Sequence, residues 1–124
     1  MKTERPVYLS LTHFAWPFTA IASITHRVTG VLLVLGVGFL LWLAAMALES
    51  SAGFAAAAAT LAQPWAKPVL LATLAALFYH LFAGIKHLFM DFHIGDSLAA
   101  AKASSVVVFV LTFMATAAAG AWLW

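Results

Sequence analysis

The hydrophobic pattern of the chain is continuous rather than alternating. Apolar residues run for whole segments with no charge between them, and three such intervals stand out. Residues 28–48 lie between Arg27 and Glu49, residues 68–85 between Lys67 and Lys86, and residues 103–124 follow Lys102. They hold 21, 18 and 22 residues, against the roughly 17–25 that a helix needs to cross a bilayer. The pattern predicts three transmembrane helices at approximately 22–48, 68–90 and 103–124. A fourth uncharged interval, 50–66, contains Ser50, Ser51, Gly53, Gln63 and Pro64 around an alanine run. It reads as part of an external connection, 49–67, with a short surface helix. Pro17 suits a first helical turn, because its missing N–H would be unpaired there anyway. A helix from Pro17 to Leu48 would be about 48 Å long, so its first turns project into the headgroup zone. Residues 1–21 read as an interfacial segment, with 7–16 as an amphipathic lead-in.

Composition sharpens this reading. Of 124 residues, 65% are hydrophobic and 8% charged, against roughly 45–50% and 25% in soluble domains. So few charges cannot clothe a soluble globule, and the hydrophobicity excludes intrinsic disorder. Cysteine is absent, which removes disulfides, iron–sulfur ligation and covalent haem attachment. A net charge of +2 is too small and too dispersed to indicate nucleic acid. With three spans, Lys2, Arg5, Arg27, Lys86 and Lys102 share one side and Lys67 faces the other. The positive-inside rule then makes the N-terminus cytoplasmic and the C-terminus external. Trp42, Trp65, Trp122 and Trp124 are expected near the external interface, and Trp16 near the internal one. MKTERP is followed by polar and aromatic residues, so neither a secretory nor a mitochondrial leader is expected.

Polar groups at membrane depth need a partner or a function. His80, Gly84, His87 and Asp91 are spaced 4, 3 and 4 apart and form one stripe on a helix. His80 lies six residues inside Lys86, or about 9 Å along the axis. A neutral imidazole there is served by a metal on one nitrogen and a hydrogen bond on the other. Haem iron suits this, with Gly84 leaving room for a porphyrin. The other reading is a histidine bonded to a neighbouring helix, with Gly84 as a packing contact. His87 lies nearer the surface and is the weaker candidate ligand. Ser23, His26, Arg27 and Gly30 gather where the first span begins. A hydroxyl, an imidazole and a guanidinium can hydrogen-bond quinone carbonyls or hold haem propionates. Snorkelling of Arg27 to lipid phosphate, with Ser23 bonded to its own helix, is the plainer alternative. Tyr79 and Phe78 read as bulk facing lipid or the bundle, Gly30, Gly36 and Gly38 as helix contacts, and His13 and His93 as solvated.

These residues also carry a family resemblance. Arg5-Pro6-Val7, then Ser23-Ile24-Thr25-His26-Arg27-Val28-Thr29-Gly30, then His80-Leu81-Phe82-Ala83-Gly84-Ile85-Lys86-His87-Leu88 with Asp91, resemble the cytochrome b subunit of succinate dehydrogenase. That subunit is the larger membrane anchor of respiratory complex II. The resemblance spans the chain and implies an all-α membrane protein. Its three transmembrane helices would form half of a heterodimeric haem-binding bundle. His80 would be an axial ligand of haem b, opposite a histidine of the smaller anchor subunit. Ser23 and Arg27 would line the ubiquinone site, and His26 with Arg27 would approach a haem propionate. Gly84 and His87 would belong to the haem environment, and Asp91 would stand near the quinone pocket, close enough to pair with Arg27. Lys86 stands where arginine is common, which keeps the charge but weakens bidentate propionate binding. The implied partners are the smaller anchor, the iron–sulfur and the flavoprotein subunits in a bacterial inner membrane. The complex would pass electrons from succinate to ubiquinone, linking the tricarboxylic acid cycle to the respiratory chain. Two other functions remain open: an anchor of a menaquinone-linked fumarate reductase, and a small helical transporter subunit.

Overall fold

A computed structural model describes residues 16–124. The expectations for Lys2, Arg5-Pro6-Val7, His13 and most of the 7–16 lead-in lie outside the described residues. Four helices follow in order: α1 (Phe18–Glu49), α2 (Ser51–Leu61), α3 (Ala66–Asp91) and α4 (Leu98–Leu123). Among the described residues there is no strand. α1, α3 and α4 hold 32, 26 and 26 residues, about 48, 39 and 39 Å at 1.5 Å per residue. All three are long and apolar enough to cross a bilayer. Each extends past its charge-free interval, because a charged side chain marks the edge of the hydrocarbon but does not break backbone hydrogen bonds.

Pro17 sits just before the first turn rather than in it, and its carbonyl accepts from the N–H groups of Ala20 and Ile21 at 2.9 and 3.1 Å. Ser50 ends α1 by turning extended (φ −167°, ψ 169°). Its hydroxyl then caps α2, accepting from Gly53 N at 2.9 Å. The alanine run thus forms an 11-residue helix folded back on the end of α1. Gly53 allows this, since a side chain there would meet the Met46 carbonyl.

α3 is the central helix, with α1 on one side and α4 on the other. Its buried positions, Thr73, Ala76, Tyr79 and Ala83, recur every three or four residues and are mostly small, which lets helix backbones approach in lipid. Gly36 of α1 receives Thr73, and a Cβ at Gly36 would collide with that side chain. Tyr79 is only 3% exposed and connects all three long helices. Its hydroxyl donates to the Ala22 carbonyl at 2.8 Å, and its ring lies 5.0 Å from that of Phe109. It therefore faces the bundle, and its polar tip is what selects tyrosine there.

The α3–α4 turn is closed by two left-handed residues, His93 (φ 59°) and Gly95 (φ 70°). His93 N–H donates to Met90 O and Ile94 N–H to Phe89 O, both at 2.9 Å, the paired bonds of a Schellman helix end. At the opposite end Lys67 Nζ donates to the Leu123 carbonyl at 2.9 Å. It also lies 5.6 Å from the Trp124 ring centroid. Lys67 thereby satisfies an orphan carbonyl at the end of α4 and complements the negative end of its dipole.

Candidate functional site

The candidate site lies in the half of the α1–α3 interface nearer Phe18 and Asp91. Gly30 faces His80 and Gly36 faces Thr73, which sets the antiparallel register. His80 Nδ1 lies 3.0 Å from the backbone carbonyl of His26 and 3.3 Å from Thr29 Oγ1. A carbonyl only accepts, so Nδ1 carries the proton and the neutral ring has its lone pair on Nε2. Nε2 has no hydrogen-bond partner among the described residues.

His80 lines an open groove of about 440 Å³ along α1, with Gly30, Leu33, Val34, Val37, Gly38 and Leu41. Val34 and Leu41 are 73% and 65% exposed, and a Cβ at Gly38 would meet nothing within 4 Å. This apolar face carries one nitrogen lone pair, His80 Nε2, without a hydrogen-bond partner among the described residues. Ser23, Arg27, Gly30, Val34, Gly38 and Leu41 follow one another at intervals of 4, 3, 4, 4 and 3, so the polar pair continues the same stripe of α1. Ser23 is half-buried and Arg27 exposed. The hydroxyls of Thr25, Thr60, Thr73, Ser105 and Thr112 each bond the carbonyl four residues back. Ser23 makes no such bond, so its hydroxyl is available to an external acceptor or donor.

His26 turns toward α3. Its ring stacks on that of His80 at 4.1 Å and 11°, and lies 5.2 Å from that of His87. Its Nε2 is buried and without a hydrogen-bond partner. A Cβ at Gly84 would stand 3.6 Å from that nitrogen. Gly84 therefore adjoins His26, and the room beside His80 comes from Gly30 and Gly38 on the neighbouring helix. Gly84 lies one turn further along α3 than His80, opposite His26.

Two other expected residues stand apart from the groove. Lys86 lines a separate apolar groove of about 400 Å³ between α3 and α4, with Ser104 as the other polar side chain. It is two positions out of phase with the His80 stripe. Asp91 is the exposed last residue of α3. The register puts Arg27 level with Ala83, so Asp91 lies ~12 Å further along the axis. The two form no ion pair; among the described residues the ion pair present is His93 Nδ1 to Asp96 Oδ2 at 3.4 Å. The structure thus brings His26, His80 and His87 together, sets Ser23 and Arg27 on the adjoining face, and leaves Asp91 outside. Among the described residues no group of three His, Asp or Glu side chains is arranged to hold a metal ion.

Spacing within α1 does not mark Thr29 and Gly30 as neighbours of His80, although both stand in the motif that begins at Ser23. The signal was present only as an unexplained hydroxyl beside a glycine.

Comparison with known proteins bears on what uses this geometry. The succinate dehydrogenase cytochrome b556 subunit of Coxiella burnetii is 38% identical over 125 residues, covering 100% of both chains. The subunit of the same description from Paracoccus denitrificans is 36% identical over 118 residues, covering 90% of this chain and 91% of its own. Residues 1–119 match the succinate dehydrogenase/fumarate reductase transmembrane subunit family, and the chain, a multi-pass membrane subunit of an oxidoreductase complex, belongs to that family.

Proposed function

We propose that this chain is the larger membrane anchor of a succinate:ubiquinone oxidoreductase, and that it holds haem b through His80 Nε2. The observation that carries the reading is the state of His80: Nδ1 is engaged by α1, while Nε2 is unpartnered among the described residues and the residue lines an open groove. The residues fit the group. A neutral imidazole with its second nitrogen hydrogen-bonded is the usual form of a histidine metal ligand, and the glycines of α1 leave a flat apolar wall. The cytochrome b556 name of both relatives supports the same assignment. Among the described residues a single histidine lines the groove, so a second protein ligand to the haem would come from a partner, which we assign to the smaller anchor subunit. When bound, haem b supplies a one-electron carrier inside the membrane.

Ser23 and Arg27 bind ubiquinone in this reading. The Ser23 hydroxyl hydrogen-bonds a quinone carbonyl oxygen, and the Arg27 guanidinium, which stays charged, stabilises negative charge developing on the ring oxygens. His26, bridging between His80 and His87, orders the polar cluster behind them. Arg27, exposed on that face, would meet a haem propionate, with His26 beside it. Asp91 lies at the water boundary and serves at most the approach to the pocket. Quinone reduction consumes two protons, and a site within two or three turns of the helix start draws them from nearby water without a long relay. The flavoprotein and iron–sulfur subunits carry the upstream chemistry; this chain, with no cysteine, contributes attachment, half of the haem site and part of the quinone pocket. The complex sits in the bacterial inner membrane with the N-terminus cytoplasmic.

The test is made on the assembled complex. Ser23→Ala and Arg27→Leu are expected to lower succinate–quinone reductase activity while succinate oxidation by a soluble dye persists. Equal loss of both activities would contradict the assignment and indicate failed assembly.

A further inference from the structure

We propose that Thr29 and Gly30 are positioning residues that hold the His80 imidazole in one tautomer and one plane. The inference rests on His80 as the haem ligand and concerns what aims it. Thr29 is 8% exposed, on the face of α1 turned to α3. Its hydroxyl donates to the His26 carbonyl at 2.9 Å, which turns its own lone pair toward His80 Nδ1, 3.3 Å away. The Nδ1 proton is therefore forked between the His26 carbonyl and the Thr29 oxygen. Bonding three residues back is an ordinary helical pattern that Ser104 also shows; its consequence at Thr29 is where it puts the oxygen. Thr25, Thr60, Thr73 and Thr112 each reach the carbonyl four residues back, whereas Thr29 reaches the one three back, and that turn sets Oγ1 beside the imidazole.

Gly30 acts on the same ring edge. A Cβ there would lie 3.0 Å from Cε1, 3.5 Å from Nδ1 and 3.9 Å from Nε2 of His80. The edge that carries both nitrogens thus rests over the Gly30 backbone, and a Cβ there would make the ring give way by a few tenths of an ångström. With the hydrogen bond fixing which nitrogen is bare and the glycine fixing the ring plane, α1 aims a ligand that α3 carries.

The test uses the assembled complex and reads the low-spin ferric haem signal by electron paramagnetic resonance, with haem per flavin measured alongside. Thr29→Val is expected to keep haem while shifting or broadening the highest-g feature, because the ring loses one of its two acceptors. Thr29→Ser is expected to restore the wild-type signal. Gly30→Ala, with Thr29 intact, is expected to move the same feature, and it supplies the reading if Thr29→Val does not assemble. Signals from Thr29→Val or Gly30→Ala that superimpose on wild type would overturn the proposal. A His80→Ala control separates the two claims: haem that survives it unchanged defeats the ligand assignment itself, and this inference with it.

Discussion

Removing only the hydroxyl of Tyr79 isolates one of the two side-chain hydrogen bonds that tie α3 to the α1 backbone among the described residues, the other being His80 Nδ1 to the His26 carbonyl. Tyr79→Phe leaves the ring on Phe109 and deletes the 2.8 Å bond to the Ala22 carbonyl. The carbonyl keeps its place in the α1 ladder, so no acceptor is orphaned. The loss is then that of a single interhelical bond, about 0.6 kcal/mol on average and up to about 1.7 kcal/mol in membrane proteins. Tyr79→Ala also removes a buried aromatic ring, for which about 3–5 kcal/mol is typical. Graded SDS denaturation of the assembled complex, followed by helical circular dichroism and haem absorbance, measures both. Tyr79→Phe is expected to shift the transition slightly and Tyr79→Ala several times further. Ala22 precedes Ser23 and lies one turn from His26, so the larger change is also expected to loosen the haem. A Tyr79→Phe loss as large as that of Tyr79→Ala would refute the bookkeeping. So would a Tyr79→Ala variant of wild-type stability.

Gly36→Val places a branched side chain where Thr73 already fills the space. It is expected to separate α1 from α3 and abolish haem retention and assembly, whereas Gly120→Ala, whose Cβ would make only ordinary contact with Leu71 at 3.8 Å away from the groove, leaves both unchanged; comparing haem yield in the two checks this. A reporter fused after Trp124 is expected to be active only outside the cytoplasm, and cytoplasmic activity would reverse the orientation.

The fold was legible because charge is scarce. Arg27, Glu49, Lys67, Lys86 and Lys102 bracket the three spans, and hydropathy needs no tertiary information to find them. His80 was legible for the same reason, as an imidazole too deep to be left unpaired. Its partner was not, because the His26 carbonyl is backbone and has no residue type to notice. Nor does spacing within one helix reveal the register between two, which decided that Gly30 rather than Gly84 adjoins the His80 ring. Lys86 shows the same limit: neighbouring His87 in sequence, it turns toward α4. The transporter reading required ionisable groups at depth on several helices, and it falls with the family assignment.

The central claim is that His80 binds haem iron. Reduced-minus-oxidised absorbance of the purified complex carrying His80→Ala tests it most directly. The account predicts loss or displacement of the haem b bands with the partner subunits still assembled; bands unchanged in position and intensity would contradict it.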